Sequence, residues 1–155
     1  MKIFGAIVFC LLWAPAAGVA KQRQCTFRVH AQANPRDTEV FATSFRAQVA
    51  GKEVAIEKMP WISEHDVMAF SAYPARDGTY GALIQLDEHG RTVLDTLSVE
   101  RRGNFLFVFI NGRFITELQI DKRVSDGKIY IPSGLTAGDI DLMKKAWRLT
   151  GPKKN

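Results

Sequence analysis

Cysteine is nearly absent from this 155-residue chain, which carries two, Cys10 and Cys25. Cys10 lies within the apolar opening segment, so a chain that loses that segment keeps one thiol and cannot form an internal disulfide. A disulfide-stapled framework is therefore excluded. Histidine is scarce too, at three residues. Zinc needs three or four convergent His, Cys or carboxylate ligands at fixed spacing, and that framework is missing. The chain also lacks a glycine-rich phosphate loop, a G-x-S-x-G nucleophile elbow, internal repeats and low-complexity stretches. Gly51, Gly78 and Gly112 are isolated turn glycines, and Ser133 in "IPSGLT" is a turn serine. No long apolar run follows the first twenty residues. The basic excess is small, 21 Lys and Arg against 16 Asp and Glu. Internal charges alternate in sign, whereas nucleic-acid proteins gather theirs on one face between aromatics. No nucleic-acid partner is expected, and at most weak contact with an anionic membrane surface.

What is present begins with Met1-Lys2 and "IFGAIVFCLLWAPAAGVA", which ends in small residues. This pattern reads as a signal peptide over 1–20, cut after Ala20. Pro15 and the small residues behind it favour cleavage over an uncleaved anchor. A periplasmic or extracellular protein is expected, with 135 residues remaining. That is one domain's worth of chain, able to bury roughly two-thirds of its unfolded surface. Cys25 is expected to be a buried structural thiol.

Residues 26–33, "TFRVHAQA", alternate with period two, as a half-buried strand does. "SFRAQVAGKEVAIEK" reads as a hairpin turning at Gly51. Pro60 marks a change of unit, and Ser63 with Asp66 starts a single helical turn. "VMAFSAYPA" and "TYGALIQL" form two strands around the turn dipeptide Asp77-Gly78. Asp87 N-caps a helix over 88–101, with Val93, Leu94 and Leu97 on its apolar face and Gly103 beyond its end. Gly90 weakens that helix by about 1 kcal/mol relative to Ala.

"FLFVFINGRFITEL", residues 105–118, is the most informative stretch. Every position from Phe105 to Ile110 is apolar, as in a strand covered on both faces. Asn111-Gly112 supplies the two positive-φ residues of a type I′ turn, leading into a more exposed strand. In "LTAGDIDLMKKAWRL", Thr136 and Asp139 form a capping box, and Leu135 and Ile140 a hydrophobic staple. Ile140, Met143 and Trp147 are expected as the buried stripe of this closing helix.

The order of turns, strands and helices over about 60–148 resembles the first periplasmic domain of the SecD/SecDF protein-export family. Leu83 to Gly90 fit its opening strand and acidic turn. Phe105 to Gly112 fit its hairpin, with Asn111 where Asp is usual. Ile115 to Ile120 fit the next strand, with Leu118 where Pro often stands, and Leu135, Thr136 and Asp139 fit the final helix entry. The resemblance implies an α+β fold, a ferredoxin-like sheet with two packed helices, that meets exported polypeptide and carries no cofactor or catalytic residues. The family's transmembrane helices find no counterpart here, so motor activity is not implied. The expected organisation is a leader (1–20), an N-terminal strand and β-hairpin region (21–59), an α+β domain (60–150) and a basic tail (151–155).

Two clusters hold metal-capable side chains: "SEHD" (Glu64, His65, Asp66) and "DEHG" (Asp87, Glu88, His89). Adjacent residues point apart, and both clusters sit where helices begin, so capping explains the carboxylates. No metal is expected. Trp61, Phe70, Tyr73 and Tyr80 gather around the presumed boundary. They read as packing residues or, more sharply, as an aromatic groove for extended peptide. The functional expectation is a non-enzymatic extracytoplasmic module that binds polypeptide or an envelope protein. A small secreted hydrolase or other enzyme, and a structural domain without ligand, are the alternatives.

Overall fold

In the computed structural model the described residues are 24–34, 36, 40–46 and 53–150. The expected leader and basic tail, and the turn at Gly51, lie outside them.

The chain runs β1 (Phe27–Ala31), β2 (Ala42–Arg46), β3 (Glu53–Glu57), β4 (Ile62–Ser63), a 3-10 turn (Glu64–Asp66), β5 (Val67–Pro74), β6 (Tyr80–Leu86), α1 (Glu88–Glu100), β7 (Phe105–Ile110), β8 (Arg113–Gln119), β9 (Lys128–Leu135), α2 (Ala137–Ala146) and β10 (Arg148–Leu149). The strands form two four-stranded sheets, β4-β1-β7-β8 and β10-β5-β6-β9, beside the β2-β3 hairpin. This is the expected α+β architecture with two helices. β6 and β7, which flank α1, fall in different sheets, so the single ferredoxin-like sheet read from the sequence is split in two. Residues before Pro60 are also not all peripheral. β1 pairs with β7 along its whole length, and Phe27, Val29 and Ala31 lie in the main core.

β7 shows why its sequence is apolar at every position. Leu106, Val108 and Ile110 face the main core with Phe27, Phe70, Ile84, Leu97, Ile131 and Met143. Phe105, Phe107 and Phe109 face the opposite way, under the hairpin residues Phe45, Val54 and Ile56, with Phe114 of β8 beside them. Alternation places successive side chains on opposite faces, so two covered faces require two apolar sets. The turn that follows has Asn111 at φ 52 and Gly112 at φ 75. Gly112→Val should therefore cost more than about 1 kcal/mol, because a β-branched residue resists positive φ. A lowered thermal midpoint checks this, and an unchanged one would mean the turn tolerates the residue.

Both helices start where their caps place them. The Asp87 carboxylate accepts from the Gly90 N–H at 2.8 Å. Thr136 and Asp139 complete a reciprocal capping box. Gly90, unfavourable by propensity, has a packing reason: a Cβ there would come within 2.9 Å of Asp66 Cβ and 3.1 Å of Leu86 Cβ. α2 ends earlier than its apolar periodicity suggests. Trp147 is its extended C-cap (φ -134, ψ 159), and Arg148–Leu149 pair parallel to β5. The Trp147 ring still joins the core, edge-on to Phe27 and Phe70 at 6.3 and 6.5 Å. Among the described residues, no helix is long and apolar enough to cross a membrane.

Candidate functional site

The four aromatics of the expected groove do not converge. Phe70 has no exposed surface and belongs to the main core, so it cannot touch a peptide. Tyr80 packs against the same core from β6. Trp61 follows β3 beside the first sheet, where its indole N–H donates to Glu57 at 2.5 Å and the Arg101 guanidinium lies 6.0 Å from its ring centroid. The physical reason is strand alternation: Phe70 and Tyr73 are three positions apart on β5 and must face opposite sides of the sheet.

Trp61 is exposed and Tyr73 half-buried, and it is Tyr73 that meets an aromatic partner the sequence reading did not include. It lies on the outer face of the second sheet, stacked on Tyr130 of β9 with ring centroids 5.7 Å apart and planes 12° from parallel. Between β5 and β9 runs β6, which places Gly81 opposite Tyr73. A Cβ at Gly81 would collide with the Tyr73 ring, so the missing side chain makes room for the ring to lie across the sheet. The Tyr73 hydroxyl donates to the Ile131 carbonyl at 2.6 Å. Burial, reinforced by Tyr130, raises its pKa and keeps it a donor. Tyr130 remains 57% exposed. With Pro74, Arg76, Pro132 and Ser133 the two rings line a shallow cleft of about 540 Å³. The arrangement offers aromatic and proline faces with the polar groups of Arg76, Asp77 and Ser133 beside them.

A second cleft of about 410 Å³ lies beside Cys25, Glu64 and Trp147. Burial first, then the Asp139 and Glu64 carboxylates, push the Cys25 thiol up to about 12. It stays protonated and is therefore a poor nucleophile.

The two metal-capable clusters do meet, although each was read alone. Val67 pairs with Leu86 at the open end of the β5-β6 hairpin, so the residues just outside the pair are neighbours. His89 Nδ1 lies 2.7 Å from Asp66 Oδ1. Ligand atoms of Asp66, Asp87 and His89 all fall within 4.8 Å of one another. Among the described residues, these are the three groups placed closely enough to ligate a cation together. Their carboxylates already serve backbone ends: Asp66 accepts from the Ser63 N–H at 2.7 Å and Asp87 from Gly90. What the cluster does is tie the 3-10 turn to α1. A symmetric hairpin about Asp77-Gly78 was the signal that would have found it.

The His89–Asp66 pair carries a pH expectation. The hydrogen bond to Asp66, then its charge, raise the His89 pKa above its ordinary 6.5. Burial works against Asp66 ionisation, but the Ser63 backbone, His89 and the Ser63 hydroxyl more than offset it and lower its pKa. A raised histidine contributes stability that is full below its unfolded pKa and is lost as pH rises through the folded one. The thermal midpoint should thus fall as pH rises from about 6.5 through the raised His89 pKa, less so in His89→Gln. Identical slopes in the two proteins would show that the pair contributes nothing.

Taken together, fold and surface define an α+β sheet domain whose second sheet exposes an aromatic platform. The fold is similar to that of the SecD periplasmic domain. A structure of SecDF, described as a membrane component that enhances protein export, matches with a TM-score of 0.55 and 14% identity, over 81% of this chain and 64% of that one. SecDF in a super-membrane-facing form matches with a TM-score of 0.53 and 13% identity, over 80% of this chain and 19% of that one. The chain therefore spans less than two-thirds of the length of either. No protein-family model and no curated protein matches it. At such identities the likeness is one of fold.

Proposed function

We propose that the protein is a non-enzymatic, extracytoplasmic module that holds extended polypeptide against the outer face of its second sheet. The observation that carries this reading is the Tyr73–Tyr130 stack with its exposed Tyr130 ring, flanked by Pro74 and Pro132. Aromatic and proline faces contact apolar side chains of any sequence, so recognition is sequence-tolerant. β9 is the edge of its sheet, and its backbone before Pro132 adds hydrogen-bond partners by strand addition. Pro132, which has no N–H, limits how far such pairing extends. The fold's likeness to a protein-export component supports polypeptide or another envelope protein as the partner, and the leader-like first twenty residues support an exported location. Against an enzyme stand the protonated Cys25 thiol and the structural use of Asp66 and Asp87.

Titration of the purified protein with a permanently unfolded, carboxymethylated polypeptide, followed by amide chemical shifts, tests the reading. Shifts should centre on Tyr73, Leu83 and Tyr130. Tyr130→Ala should weaken binding up to about tenfold, the worth of a lost aromatic contact. Tyr73 is left intact in this test because its ring covers Gly81. Silence of these amides at saturating polypeptide, or unchanged affinity in Tyr130→Ala, would overturn the proposal.

A further inference from the structure

We propose that a second pocket, between α1 and the β8–β9 connection and sharing Tyr130 with the first cleft, binds a small amphiphile with an aliphatic tail and a carboxylate head. The pocket has a volume of about 230 Å³, below the roughly 300–1,000 Å³ of drug-sized sites, which restricts it to a short chain. Its floor is apolar and buried: Leu94, Leu106 and Ile129 are each no more than 4% exposed. The one floor hydroxyl, Ser98, donates to the Asp95 carbonyl at 2.8 Å and accepts from the Val124 N–H at 2.9 Å. Its one hydrogen is thus used within the fold, and the floor it shares with Leu94, Leu106 and Ile129 favours an apolar group.

The rim supplies the other half of the recognition. Lys122 and Lys128 both line the opening and are exposed. Neither ammonium has an ion-pair partner among the described residues, whereas Arg91, Arg101, Arg113 and Arg123 are each paired with a carboxylate. Asp121 is the single carboxylate lining the pocket, so the rim keeps a positive excess. An apolar slot open to water leaves its walls hydrated, and covering that apolar surface is favourable. An aliphatic tail covers the walls while its carboxylate stays at the surface between the lysines. Phosphate-rich or long-chain ligands fit less well, because the floor has no donors and the volume is short. This site does not depend on the polypeptide-binding reading.

Sodium octanoate, kept below its micelle-forming concentration, is the probe, with 1-octanol and octylamine as neutral and cationic counterparts. Octanoate should shift the amides of Leu94, Ser98 and Ile129 saturably and bind about fivefold more tightly than octanol, with octylamine weakest. In Lys122→Gln/Lys128→Gln, octanoate should fall to the affinity of octanol while the fold is unchanged. Val124→Phe should block all three ligands by filling the mouth. Absence of saturable shifts at these amides, or equal affinities for the three head groups, would overturn the proposal. So would binding of a peptide ending in leucine without binding of octanoate, which would make the pocket a polypeptide subsite.

Discussion

Replacing Phe107 with alanine should lower the unfolding free energy by about 3–5 kcal/mol, the range for truncating a fully buried aromatic. Phe107 has no exposed surface. Its ring meets Phe45 at 5.6 Å and Phe114 at 6.4 Å, between the first sheet and the β2-β3 hairpin. A cavity there cannot collapse easily, because the floor is the backbone of paired strands and the lid is a two-stranded hairpin. Such a hairpin is marginal without a hydrophobic face to pack on. Amide exchange in Val54 to Ile56 should therefore accelerate more than in β1 or β6. Denaturant titration gives the total cost, and a loss below about 1 kcal/mol would mean that the hairpin does not cover this face.

The second large effect is expected at Asp139. The residue is 5% exposed, and its carboxylate joins three elements: it accepts from the Thr136 N–H at 2.9 Å and hydroxyl at 2.7 Å, from the Asn111 amide at 2.9 Å, and from Arg113. One residue thus closes the α2 capping box and clamps the β7-β8 turn to it. Asp139→Ala leaves the Asn111 and Thr136 donors without their acceptor and should cost about 3 kcal/mol. Burial alone would raise this carboxyl, but the Thr136 backbone, the Asn111 amide, the Thr136 hydroxyl and the Arg113 charge hold it below its ordinary value of 3.8. A depressed carboxyl stabilises above its unfolded pKa, and that stability is lost as pH falls through the folded one. Acid unfolding below about pH 4 should therefore be shallower in Asp139→Asn than in the unaltered protein. Equal acid limbs would assign the loss to other carboxylates, and an unchanged denaturant midpoint in Asp139→Ala would remove the clamp.

The amino-acid sequence by itself determined the local elements. Period-two alternation, the Asn111-Gly112 turn and the Asp87 and Thr136 caps depend on backbone conformations and hydrogen bonds spanning a few residues. The same information placed the all-apolar β7 between two covered faces. It also held one clue that the groove reading passed over: Phe70 and Tyr73, an odd number of positions apart on a strand, cannot share a surface. Tertiary structure decided which strands became neighbours, and with them the site. Only the β5-β6-β9 order brings Tyr130 onto Tyr73, and only the β5-β6 register brings His89 onto Asp66. It also divided the strands into two sheets and drew β1 into the main core. Short apolar segments carry a face and a period, but no address. Pairing is settled when many weak contacts from distant residues are satisfied at once, and no stretch of this chain contains that sum.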